Sequence, residues 1–213
     1  MKLKGFIFDL DGTLTNTLPV CYIGFRKVLQ KFLGREFTDQ EITALLGPSE
    51  EGVFKKILPD NWEVCLKSYL DEYDKAHTEY AKPFPGIEEV LELLRQRGIK
   101  LAIVSGKGPG SMDISLRHSG LGQYFELVLT GSEQGADKPT HINEVLRIWN
   151  YSPLEVAYIG DTAYDIIAAK DVGTFSVGAV WANTAQVQKV MNEKPSVCFT
   201  DVDSFNNWIK QTT

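Results

Sequence analysis

Short, uninterrupted apolar runs recur along the chain: Leu3 to Phe8, Lys100 to Val104, Glu126 to Leu129, Val156 to Ile159 and Thr174 to Val177, with Val197 to Phe199 as a sixth at an edge. They are continuous rather than alternating, which predicts parallel strands covered on both faces. Between them, apolar residues return at helical spacing. Ile87, Val90, Leu91 and Leu94 form one stripe, closed by Gly98; Ile142, Val145, Leu146 and Trp149 form another, opened by Pro139 in its first turn. Strands alternating with helices require right-handed crossovers. The expected fold class is α/β, a doubly wound parallel sheet of the Rossmann-like kind.

One stretch does not alternate. From Thr15 to Lys82 the pattern predicts helices and no strand. Phe25, Val28, Leu29 and Phe32 make a stripe that stops at Gly34. Thr38 and Glu41 have capping-box spacing ahead of Ile42, Leu45 and Leu46. Leu66, Leu70, Tyr73, His77 and Tyr80 share one face of a longer helix, and Pro83, Pro85 and Gly86 mark the return to the α/β pattern. The expected division is an α/β core of residues 1–14 and 84–213, with a helical insert of residues 15–83 after the first strand.

Composition narrows the function. At 213 residues the chain is long enough to bury a core without staples, and its net charge of −6 argues against a nucleic-acid or anionic-membrane partner. Cys21, Cys65 and Cys198 are odd in number and widely spaced, which fits buried thiols in a reducing compartment. Asp9 and Asp11 interrupt the first apolar run too early for a signal peptide, and no run approaches the roughly 20 residues that span a bilayer. A cytoplasmic protein is expected, with a monomer as the default.

Ligands of parallel α/β sheets bind beyond the carboxyl ends of the strands. There the first strand ends in Asp9-Leu10-Asp11-Gly12-Thr13, the second in Ser105-Gly106, and the fourth in Gly160-Asp161-Thr162 with Asp165 one turn later; Lys138 precedes the Pro139 helix. Four carboxylates in one crevice repel unless a cation neutralises them, and oxygen ligands with room for water and a phosphate suit Mg²⁺. A metal, a lysine and a serine hydroxyl make a pocket for a phosphoryl group. Asp9 and Asp11, two apart at a strand end, point to the same side, so one can attack while the other handles protons.

Taken together, Asp9-x-Asp11-Gly12-Thr13, Ser105, Lys138 and Gly160-Asp161-Thr162-x-x-Asp165 resemble the four motifs of the haloacid dehalogenase-like hydrolases, in order and over nearly the whole chain. The helical insert is similar to the helical cap of the phosphoglycolate phosphatase and β-phosphoglucomutase-like branch. The resemblance implies a Mg²⁺-dependent phosphatase that hydrolyses a small phosphorylated metabolite through an aspartyl-phosphate. It implies Asp9 as nucleophile and metal ligand, and Asp11 as general acid and then base, with its carbonyl on the metal. Asp161 and Asp165 become further metal ligands, Ser105, Gly106 and Lys138 the phosphate-binding set, and Gly47, Pro48, Ser49 and Glu50 a cap loop over the substrate. A phosphoglucomutase would keep the same core residues. A non-catalytic regulatory module on this fold is the alternative of a different class, and the intact acidic set speaks against it.

Other residues read more plainly. His77, His118 and His141 lack ligand spacing, and Tyr69, Tyr73 and Tyr80 read as packing within the insert. Lys55, Lys56 and Lys67 read as a solvated face. Asn16 and Lys170 stand where relatives often carry Asp and a small residue.

Overall fold

The computed structural model describes residues 3–80 and 82–212, without the side chains of Glu79 and Tyr80. Six strands form the sheet: β1 (Gly5–Phe8), β2 (Lys100–Val104), β3 (Leu127–Leu129), β4 (Val156–Gly160), β5 (Phe175–Ala179) and β6 (Val197–Phe199). Their order is β3-β2-β1-β4-β5-β6 and every pairing is parallel. This is the doubly wound arrangement the apolar runs predict, with Val197–Phe199 at the edge. The runs match β2 and β6 at both ends, and the other four strands differ at one end or both by one to two residues; Leu3, for example, precedes β1 yet is buried in the core.

Among the described residues ten α-helices accompany the sheet: α1 (Leu18–Leu33), α2 (Asp39–Thr43), α3 (Glu50–Ile57), α4 (Trp62–Tyr80), α5 (Ile87–Gln96), α6 (Pro109–Ser119), α7 (Lys138–Trp149), α8 (Ala163–Val172), α9 (Val187–Asn192) and α10 (Val202–Thr212). Successive residues of a strand face opposite sides, so the sheet supports two cores. Phe6, Phe8, Ile103 and Ile159 pack with α5 and α10 on one face. Ile7, Ala102, Val104 and Tyr158 pack with α7 and α8 on the other.

Helices α1 to α4 all fall between β1 and β2 and build a third apolar cluster around Phe25, Phe54, Tyr69 and Tyr73, joined from the rest of the chain by Ile114 of α6. Their boundaries follow local chemistry. Gly34 closes α1 with φ 70°, where a side chain would be strained. Thr38 accepts a hydrogen bond from the Glu41 amide while the Glu41 carboxylate reaches back to the Thr38 amide, completing the capping box that opens α2. The two chain crossings run side by side: Thr15 bridges Pro83, and the Phe84 amide donates to the Leu14 carbonyl at 3.0 Å. No described helix is long and apolar enough to cross a membrane.

The remaining readings sort by position. Tyr69 and Tyr73 are buried packing residues; the Tyr80 side chain lies outside the described residues. His77 is buried, its ring bonded to the Tyr73 carbonyl and the Ser115 hydroxyl, and His118 pairs with Asp74 on the surface. Lys56 and Lys67 are exposed, whereas Lys55 crosses from α3 to Glu133 at 2.6 Å. Lys170 of α8 holds the Glu193 carbonyl, and the Asn16 amide donates to the Lys82 carbonyl at 3.2 Å.

Candidate active site

In register, Phe8 lies level with Ile103 and with Ile159, so the residues just past β1, β2 and β4 reach one line at the carboxyl edge of the sheet. This edge is also where strand order reverses about β1, the place where such sheets open a crevice. A cavity of about 340 Å³ lies there, with Asp9, Asp11, Ser105, Gly106, Lys138 and Asp161 on its wall. Gly47, Pro48 and Glu50 line it from the helical side. Of the expected site residues, Ser49 stands behind the wall as the buried N-cap of α3, and Asp165 is fully enclosed beneath the floor.

Asp9 is fixed from two directions. Its Oδ1 accepts the Leu10 amide at 2.7 Å and its Oδ2 accepts the Lys138 ammonium at 2.7 Å. The same ammonium donates to Asp165 Oδ1 at 2.6 Å. Asp165 is fully supplied: Oδ1 also accepts the Tyr158 hydroxyl at 3.0 Å, while Oδ2 accepts the Thr162 amide at 3.0 Å and hydroxyl at 2.6 Å. That capping box opens α8 and holds Asp165 in place to orient Lys138. Asp161 differs. Its Oδ1 is buried and has no hydrogen-bond partner among the described residues.

Ligand oxygens of Asp9, Asp161 and Asp165 lie within 4.8 Å of one another. Burial pushes the carboxyls of Asp9 and Asp161 up from their ordinary range, and neighbouring carboxylates push in the same direction. Burial disfavours the Lys138 ammonium too, yet Asp165 and Asp9 outweigh it and hold the group charged well above its ordinary range. Three carboxylates thus face one ammonium, and one buried oxygen is orphaned. A hard divalent cation fits this donor set: it would add two positive charges and give Asp161 Oδ1 a partner.

Asp11 belongs to a second constellation. One of its oxygens accepts the Thr17 hydroxyl and the other lies 3.2 Å from the Lys107 ammonium. Lys107 is almost wholly buried, 3.9 Å from Glu50 Oε1, 3.6 Å from the Cys21 sulfur and 4.5 Å over the Tyr73 ring. Desolvation opposes its charge, but Asp11 leads the neighbours that keep it protonated well above the ordinary lysine range.

The sequence pattern assigns no role to Lys107, Thr17 or Tyr158. Lys107 carried a usable signal, a lysine between two glycines two residues beyond Ser105 at a strand end. Tyr158 carried none, since its position in a buried strand reads as core. Ser105 itself accepts the Lys107 amide at 3.3 Å, turning the loop that brings this lysine into the cavity wall.

The family model of the haloacid dehalogenase-like hydrolases matches residues 6–179. A protein of Caldanaerobacter subterraneus subsp. tengcongensis, provisionally named pyrophosphatase PpaX, is 29% identical over 204 residues, covering 95% of this chain and 92% of its own. The pyrophosphatase PpaX of Bacillus mycoides is 27% identical over 183 residues, 85% of each chain. Among solved structures, one described as a predicted phosphoglycolate phosphatase from Haemophilus somnus superposes with a TM-score of 0.82 at 21% identity, covering 100% of this chain and 99% of that one. At that identity the superposition speaks for the fold.

Proposed function

The chain belongs to the haloacid dehalogenase-like hydrolase family, and from that membership we propose that it is a Mg²⁺-dependent phosphatase acting on a small phosphate monoester through Asp9, phosphoglycolate phosphatase-like in build. The observation that carries the reading is the arrangement of Asp9. It is a buried carboxylate at a strand end, held by Lys138 at 2.7 Å and facing the orphaned oxygen of Asp161 across one cavity.

The chemistry follows from these groups. An Asp9 carboxylate oxygen attacks phosphorus, the bond from phosphorus to the leaving oxygen breaks, and Asp11 gives that oxygen a proton. In the second half Asp11 takes a proton from water, the water oxygen attacks phosphorus, and the acyl-phosphate bond breaks to return Asp9 and release phosphate. Ser105, the Gly106 amide and Lys138 bind the phosphoryl oxygens, with Lys138 oriented by Asp165. Asp9, the Asp11 carbonyl and Asp161 would hold Mg²⁺, with Asp165 behind them. Bound there, the ion supplies charge neutralisation for the phosphoryl group.

Residues 15–83 act as a cap over the core of residues 1–14 and 84–213. The separate apolar cluster of α1 to α4 and the adjacent crossings at Thr15 and Pro83 support this division. Closure excludes water while Asp9 attacks, and opening releases product.

The test is phosphate release from a panel of phosphoglycolate, sugar phosphates, nucleotides, pyrophosphate and β-glucose 1-phosphate, with and without Mg²⁺. Magnesium-dependent release that disappears in Asp9→Asn is the expected result. Release that survives in Asp9→Asn sinks the assignment of the nucleophile. Conversion of β-glucose 1-phosphate to glucose 6-phosphate without release would make the protein a mutase.

A further inference from the structure

Glu50 begins α3 in the helical segment, yet its carboxylate is spent on the other side of the cavity. Oε2 accepts the Gly108 amide at 2.9 Å and Oε1 accepts the Ser111 hydroxyl at 2.6 Å, both at the start of α6. The residue is 7% exposed. Lys107 stands between Glu50 and Asp11, 3.9 Å from the first and 3.2 Å from the second. A helix start, a hydroxyl and an ammonium are the groups that would greet an anion in this half of the cavity. Here two carboxylates of the protein already occupy them.

The charge balance decides what can enter. As the proton donor Asp11 meets the substrate uncharged, so the Glu50 carboxylate cancels the Lys107 ammonium: this half offers an incoming anion no uncompensated positive charge, and the Glu50 carboxylate itself repels it. Leu18, Phe25, Leu46 and Pro48 add apolar surface to the wall. An uncharged alcohol meets no such penalty: its hydroxyls can donate to Glu50 while its carbon face lies on the apolar side chains. On the reading of Asp11 as the proton donor, the leaving group departs into this half. Resting on that reading, we propose that Glu50 is a specificity-determining residue that admits phosphate esters of uncharged, hydroxyl-bearing alcohols, such as sugars and polyols, and rejects leaving groups that carry a carboxylate or a second phosphate. Specificity here comes from a repulsive element supplied by the cap.

The assay compares kcat/KM for glucose 6-phosphate and glycerol 1-phosphate with that for phosphoglycolate and pyrophosphate, in Mg²⁺, for the wild type and for Glu50→Gln. The wild type is expected to favour the uncharged leaving groups by about tenfold or more. Glu50→Gln keeps the shape, removes the charge and frees Lys107, so it should raise kcat/KM on phosphoglycolate and pyrophosphate by about tenfold, mostly through KM. A wild type that prefers the anionic pair, or a variant whose ranking is unchanged, overturns the proposal. If the variant does not fold, the wild-type ranking decides alone. No Asp9-dependent release from any compound of the wider panel would instead defeat the phosphatase reading, and this inference with it.

Discussion

Lys138 and Asp165 meet at 2.6 Å beneath the cavity floor, and the same ammonium reaches Asp9 at 2.7 Å. The pair therefore sets where the Asp9 carboxylate can point. Each partner is almost wholly buried, so the lysine is the counter-charge that makes two buried carboxylates tolerable.

Replacing Lys138 with Met keeps the volume and removes the charge. Asp9 and Asp165 then lose their cation, and metal-free stability should fall by about 3–5 kcal/mol. Urea unfolding in the presence of a chelator measures this. A fall below about 1 kcal/mol would mean that the carboxylates take up protons instead of remaining unpaired.

Magnesium should act on stability with the opposite sense at Asp161. Burial and the neighbouring carboxylates raise the Asp161 carboxyl well above its ordinary range, so both work against its charge in the metal-free fold. Asp161→Asn should therefore be more stable than the wild type without metal, by about 1–2 kcal/mol. Saturating Mg²⁺ at about 100 times its dissociation constant should stabilise the wild type by about 2.7 kcal/mol and the variant far less. Thermal unfolding with and without Mg²⁺ reads both effects. An equal magnesium response in the two proteins would remove Asp161 from the ligand set.

Much of this architecture was legible in the sequence, and the reason is local. Buried parallel strands are continuous apolar runs, and the run from Lys100 to Val104 is β2 residue for residue. Capping residues announce helix ends, as Thr38, Glu41 and Gly34 do. The residues at the strand ends could be gathered because a parallel sheet brings them to one edge whatever lies between. Contacts across the two halves of the chain could not be gathered in that way. Glu50 and Gly108 are 58 positions apart, and their bond depends on how α3 settles against α6, which no periodicity encodes. The sequence pattern places Glu50 in a loop, whereas it is the first residue of a helix capped by Ser49. For Lys107 the sequence can flag the residue beside Ser105 but not its partners Asp11 and Glu50, which come from separate elements.

A pH dependence follows from His77. Burial pushes its imidazole down to about 4 from an ordinary value of 6.5, so the folded protein keeps it neutral where the unfolded chain takes up a proton. Between those two values the unfolded state binds more protons, and stability falls as pH falls from about 6.5 toward 4. The contribution is about 1–2 kcal/mol once screening and local relaxation around the charged ring are allowed for. His77→Gln can keep the bond to Ser115 without titrating, so its urea midpoint should decline less than that of the wild type between pH 7 and pH 4. Parallel declines in the two proteins would assign the acid sensitivity to other groups.

Gly12 offers the sharpest local test, because two constraints coincide there. Its φ of 77° suits glycine, and a Cβ built on it would lie 2.2 Å from Asp161 Oδ2. The turn after β1 thus lets the Asp9 strand and the Asp161 strand approach closely enough for both carboxylates to face one point. Gly12→Ala adds one methyl group, and the added strain should cost about 1–3 kcal/mol of stability. The same methyl group pushes the Asp161 carboxylate aside, so Mg²⁺ should stabilise the variant less than the wild type even where both are folded. Thermal unfolding across a Mg²⁺ titration separates the two effects: the metal-free midpoint reports the strained turn, and the size of the magnesium shift reports the displaced carboxylate. A variant with a lowered metal-free midpoint and an undiminished magnesium shift would show that the turn is needed for the fold but not for bringing the two carboxylates together.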